Sequence, residues 1–211
     1  MFEHVRSTVS VERMAPYLAA ADGDARQALR LYEWNSAVAA SFHRLLEQLE
    51  IGLRNAVHRQ MSLLMGLSTW WDKPGLVLAN PCPAMIREAR ATVVRRGRTD
   101  IQPGDVVAAL SFGFWVSMFS SGRSANYEMT LWRPGLRHAL PGYTGTRADL
   151  YLRLRSLRLL RNRVAHHEPI FRRHLAADHA SVVGLLGDIS PEFAAWVTGF
   201  DEVPAVLARR P

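Results

Sequence analysis

A chain of 211 residues, 48% of them hydrophobic, is long enough for one domain with a sizeable core and short for two. Its formal charge of +7 rests on arginine, since Lys73 is the only lysine; such basicity admits a polyanionic partner without demanding one. The lone Cys82 excludes an internal disulfide and a cysteine-rich metal site. Met1-Phe2-Glu3-His4 lacks the basic run and apolar core of a signal peptide, so the expectation is a single cytoplasmic domain over residues 1–211.

Residues 8–21 read as a short first helix, with Ser10 as its N-cap candidate and a bend at Pro16. Asp22-Gly23 breaks it and Asp24 can cap the next helix. From Ala25 to Met65 there is no proline, and Leu31, Val38, Leu45, Leu49, Leu53 and Ala56 recur at helical spacing. The pattern predicts one long second helix, or two nearly collinear ones kinked near Asn35. On it Glu47, Glu50, Arg54 and His58 form a polar line at steps of three and four, with Asn55 alongside. Solvated ion pairs explain that line; so does a second reading, in which Glu50 fixes Arg161 or Arg54 extends a phosphate site.

Trp70 to Gly75 is an aromatic loop, suited to plugging a bundle end or to stacking on unpaired bases. Ala84 to Arg96 reads as a basic amphipathic helix ended by Gly97, with Arg87, Arg90 and Arg95 open to an RNA backbone. Val106 to Phe119 is the most apolar segment. It is short for a membrane span, which needs about 20 residues, and predicts the central helix of the bundle. Ser120 to Gly145 reads as a surface loop with a short helix around Leu131 to Leu140 and with Arg123, Arg133 and Arg137 exposed. Closing helices span residues 172–189 and 191–198, and residues 203–211 read as a frayed tail.

From about Thr146 to Pro169, ahead of those closing helices, lies a Leu/Arg-rich helix. At about 100° per residue, Leu150, Leu154, Leu157, Arg161 and Val164 share one stripe, so Arg161 occupies a place where the pattern calls for an apolar side chain. A second stripe carries Arg155, Arg158, Asn162 and His166. Histidine can give or take a proton near neutral pH, arginine matches a phosphate bidentately, and asparagine can orient either neighbour. Together they suit metal-free RNA cleavage, with His166 as acid or base, Arg161 stabilising phosphate charge and Asn162 orienting. A cationic helix end that favours its own dipole, with Arg161 snorkelling or paired to a carboxylate, explains the same residues. The five-residue step from Arg161 to His166 also sets them about 140° apart on an ideal helix. His166, His167, Glu168 and His174 invite a metal reading, but no His-Glu-x-x-His pattern or acidic cluster completes a ligand set, and no cofactor motif is present.

Arg161-Asn162 followed by His166, with four residues between Arg and His, resembles the signature of the HEPN superfamily. Leu31-Tyr32-Glu33-Trp34-Asn35, Glu50-Ile51-Gly52-Leu53-Arg54-Asn55 and Leu110-Ser111-Phe112-Gly113-Phe114-Trp115 resemble three further signatures of its Abi-like (abortive infection) branch, in the same order over about residues 10 to 170. The resemblance implies an all-α, HEPN-like helical bundle with a long second helix and extra peripheral helices. It also implies a metal-independent endoribonuclease of bacterial phage defence or stress response, working as a homodimer with a composite site. Catalytic roles then fall on Arg161, Asn162 and His166, with Glu50, Arg54, Asn55, Arg155, Arg158 and His167 in support. RNA, a second copy of the chain and an antitoxin or regulatory protein are the implied partners; no cofactor or metal is implied. Some superfamily toxins carry a tyrosine two residues after the histidine, where this chain has Glu168, which sets it apart from those regulated by modification there. A non-catalytic RNA-binding or protein-interaction module of the same fold is the alternative.

Overall fold

In a computed structural model that describes residues 1–211, Asp24 opens the element on which the others are laid. Its carboxylate accepts from the backbone N–H of Arg26 (2.8 Å) and of Gln27 (3.0 Å), satisfying two of the amides that a helix start leaves bare. The helix α3 (Ala25–Met65) then runs 41 residues, about 60 Å at 1.5 Å per residue, until Gly66 (φ 75°) takes the left-handed turn that ends it. Asn35 does not interrupt it. The side-chain oxygen of Asn35 accepts from the backbone N–H of Ile170 (2.8 Å) and Phe171 (3.1 Å), so it does not compete for its own helix backbone.

The chain is all-α, with ten α-helices. The single helix expected over residues 8–21 is two, α1 (Phe2–Val9) and α2 (Val11–Ala20), which makes the long helix the third. Ser10 leaves the helical region (φ 90°) and its hydroxyl accepts from Arg13 N–H (3.2 Å), capping α2 and separating it from α1. After α3, Trp70 is fully buried, donates its indole N–H to His58 Nδ1 (3.2 Å) and stacks on Phe114. The tryptophan loop thus plugs the bundle. Helix α4 (Cys82–Arg95) comes next, and two of its arginines are engaged within the chain: Arg90 with Asp72, and Arg95 with Glu88 at 2.6 Å.

The central apolar segment is also two helices, α5 (Pro103–Ala109) and α6 (Phe112–Ser117). Leu110 and Ser111 are extended, and the Ser111 hydroxyl accepts from Phe114 N–H (3.4 Å), so the serine caps a new helix where the apolar pattern alone predicts continuation. Between residues 120 and 145 the expected short helix resolves into a π-turn at Glu128–Trp132 and a 3-10 turn at Leu136–Ala139, split by Pro134-Gly135. Helix α7 (Arg147–Ala165) carries the Leu/Arg pattern. Then come α8 (Leu175–Ile189), whose cap His174 accepts from Ala177 N–H through Nδ1 (3.2 Å), α9 (Pro191–Thr198) and α10 (Val203–Leu207).

Helix α10 corrects the expectation of a frayed tail. Val203 and Val206 are buried, Asp201 accepts from Val203 N–H (2.9 Å), and the Trp34 indole donates to Val206 O (2.9 Å). One connected cluster of 48 buried residues draws on every helix from α2 to α10, so there is one core. Helix α3 is its axis, packed by α2, α7, α8 and α10. No helix is long and apolar enough to cross a membrane.

Candidate functional site

Thr146 starts α7 by accepting from Asp149 N–H (3.1 Å), and Leu150, Leu154, Leu157, Leu160 and Val164 bury its inner face. Arg161 lies at the edge of that face. It borders a cleft of about 310 Å³ against α3, lined also by His43, Glu47, Glu50 and Arg54 with two apolar neighbours. Arg161 Nε donates to Glu50 Oε2 at 3.3 Å, with the Glu50 side chain mostly buried and Arg161 about half so. The pair holds one edge of the guanidinium; its terminal nitrogens make no hydrogen bond within the chain. Arg54 stands beside it, its Nε buried with no partner. Glu50, Arg54 and Arg161 therefore come together from two helices, as a fixed cation next to a second cation with unspent donors. Such a pair suits a phosphate, which two guanidiniums can clasp.

The other residues of the sequence constellation lie apart. Asn162 and His166 are exposed on the outer face of α7; His166 N–H donates to Asn162 O (2.9 Å) and closes the helix, while its ring touches none of the groups in the Arg161 cleft. One chain does not bring His166 to Arg161, as the five-residue step requires. Arg155 and Asn55 are exposed and unpaired. Arg158 faces away from Arg161 toward α6, where Gly113 leaves room for it: a Cβ on Gly113 would stand 3.5 Å from the Arg158 side chain. There Arg158, its Nε buried and unpartnered, borders a second cleft of about 570 Å³ with Arg123 and Arg147. His167 takes a left-handed conformation (φ 57°) and its carbonyl accepts from Arg13. Its side chain borders a third cleft of about 500 Å³ between α2, α3 and the end of α7.

His58, the last of the polar line on α3, belongs to the tryptophan plug, and burial lowers its pKa from the ordinary value of 6.5. The line instead extends one turn the other way. His43 precedes Glu47 by four residues, shares the face of Glu50 and Arg54, and borders both the Arg161 cleft and the third cleft. That spacing is in the sequence, so the same periodicity gives access to His43. Tyr17 and Tyr32, which also line the third cleft, carry no such mark. No family model, curated protein or solved structure matches the chain.

Proposed function

We propose that this chain is a metal-independent endoribonuclease of the Abi-like branch of the HEPN superfamily, acting as a homodimer in bacterial phage defence or a related stress response. The observation that carries the reading is the Arg161 guanidinium, anchored to Glu50 on one edge and open on the other, beside the unspent Nε of Arg54. In the proposed reaction these cations hold the scissile phosphate. The ribose 2'-oxygen attacks phosphorus, its proton passes to a base, and the bond to the 5'-oxygen breaks as that oxygen takes up a proton. His166 serves as the acid or base and Asn162, one turn before it, orients the imidazole or the ribose. The products are a 2',3'-cyclic phosphate and a 5'-hydroxyl.

The exposed face of α7 supports a second copy as the missing part. Leu152, Arg155, Leu159, Asn162 and His166 succeed one another at steps of three and four, and the two leucines are 58% and 46% exposed. In the proposed dimer two such faces meet and bury four leucines, and each protomer's His166 serves the Arg161 site of its partner.

The test is end-labelled RNA incubated with the purified protein in excess EDTA, beside an Arg161→Ala, His166→Ala double variant checked for folding and dimerisation. Cleavage by the parent alone, with cyclic-phosphate ends, is the expected result; products ending in a 3'-hydroxyl reject the mechanism. The second reading, a module that binds RNA or protein without chemistry, is favoured by the separation of His166 from Arg161 within one chain. It predicts no cleavage by either protein and RNA binding by both.

A further inference from the structure

We infer that the cleft between α2, α3 and the end of α7 is a nucleobase pocket. The inference deepens the ribonuclease reading by naming where a base is held, and rests on that reading only for RNA being its natural source.

The floor of the cleft is built from two side chains that burial would otherwise forbid to be unpaired. Tyr17 is 1% exposed, yet its hydroxyl has no hydrogen-bond partner; Asn35 is 5% exposed, and its side-chain nitrogen has none either. Neither atom is sealed in the core, so both open on the cleft. The orientation of the Asn35 amide is fixed by chemistry: its oxygen accepts two backbone N–H groups, from Ile170 and Phe171, which leaves only the NH₂ facing outward. Burial pushes the Tyr17 phenol up to about 12, so it stays a hydroxyl that can donate or accept. Buried polar groups in folded proteins are nearly always satisfied, and two left open on one cleft mark a place where a ligand completes them.

The wall supplies a flat apolar surface. Tyr32, half-buried, packs edge-to-face on Tyr17 with ring centroids 5.2 Å apart, and Tyr17 rests on Phe171 at 5.0 Å. Arg13 of α2 donates to the carbonyl of His167 at the end of α7, tying together two of the elements that border the cleft. At about 500 Å³ the cleft lies within the range of roughly 300–1,000 Å³ typical of small-ligand sites. An aromatic wall over a floor of uncharged donors fits a planar heterocycle, and stacking contributes about 1–3 kcal/mol per base in such sites. The Asn35 amide donates to an acceptor on the edge of a base, a carbonyl oxygen or a ring nitrogen, and the Tyr17 hydroxyl donates to or accepts from another position of that edge, so the floor can engage any of the four bases. His43 borders both this cleft and the one containing Arg161, so a base seated here hangs next to the proposed phosphate site.

The experiment is saturation-transfer NMR with the four ribonucleoside 3'-monophosphates, on wild type, Tyr17→Phe and Tyr32→Leu. Tyr17→Phe keeps the ring that packs on Tyr32 and Phe171 and deletes only the hydroxyl. Saturation of the base protons of the nucleotides, weaker by about fivefold in Tyr17→Phe and lost in Tyr32→Leu, is the expected result. Transfer to no base, or undiminished transfer in Tyr17→Phe, overturns the pocket. The EDTA cleavage assay reports separately: base saturation without cleavage rejects the nuclease and leaves the pocket, while cleavage by a protein that saturates no base does the reverse.

Discussion

Arg161 and Asn35 pose the same problem at the scale of single residues, and the chain solves it in two ways. Each stands in an apolar stripe, Arg161 among the leucines of α7 and Asn35 between Leu31 and Val38 of α3. The rule that a polar group leaving water needs a partner makes Arg161 conspicuous in the sequence, and Glu50 is among the candidates that the polar line offers it. Asn35 reads as a kink, because periodicity reports that a partner is needed without saying where in the chain it lies. Its partners are 135 and 136 residues away. Asn35→Ala leaves two buried N–H groups unpaired and is expected to cost about 3 kcal/mol in urea denaturation, at roughly 1–3 kcal/mol per group. A loss below about half a kcal/mol would mean that water replaces the amide freely. At Arg161 the expectation concerns rate. Removing a donor aimed at developing phosphate charge costs about 10²- to 10³-fold in kcat. Arg161→Ala should fall in that range in single-turnover cleavage, while Glu50→Ala, which only positions the guanidinium, loses roughly tenfold in kcat with KM little changed. Equal losses in the two variants would give Glu50 a direct part in the chemistry.

At the scale of elements, legibility tracks the strength of the local signals. Helix α3 is readable end to end because a capping aspartate, a long run without proline and a left-handed glycine agree with one another. The break between α5 and α6 is not, since a serine inside an apolar run reads equally as a small helical residue and as a cap; its hydroxyl geometry on Phe114 N–H decides. Helix α10 escapes the sequence for a different reason. Five residues show no periodicity, and what orders them is Trp34 of α3, whose indole needs the Val206 carbonyl. Deleting residues 203–211 therefore removes two buried valines, worth roughly 1.5–3 kcal/mol each as an upper estimate, and strands the indole N–H. The truncated protein should lose about 3 kcal/mol in chemical denaturation and show red-shifted tryptophan emission. Unchanged emission and stability would return the segment to the status of a tail.

The molecule as a whole is legible as an all-α bundle, because helical periodicity dominates the chain and the single core is its consequence. Its response to pH is not, since that depends on where one histidine ends up. Folding lowers the pKa of His58 below its ordinary 6.5, so the native state resists a proton that the unfolded chain accepts. Stability from this group is full above about pH 6.5 and is lost as the pH falls toward the folded-state value. Thermal melts from about pH 7.5 to about pH 5 should decline, and His58→Asn, which keeps an acceptor near the Trp70 indole without titrating, should decline less. The candidate site raises the larger question of assembly, for the sequence lists Arg161, Asn162 and His166 but not which faces of α7 they take. The fold directs Arg161 inward to α3 and leaves Asn162 and His166 outward with Leu152 and Leu159. In the proposed nuclease a site divided in this way is closed by a second copy. Leu159→Glu tests that directly: the position is exposed, so monomer stability should change by less than about 0.5 kcal/mol. A charge buried against its own copy should nonetheless dissociate the proposed dimer. Light scattering is expected to report a monomer with an unaltered helical spectrum, and RNA cleavage should vanish although Arg161, Glu50 and His166 are all intact. A Leu159→Glu monomer that still cleaves RNA would show that the chain closes its own site.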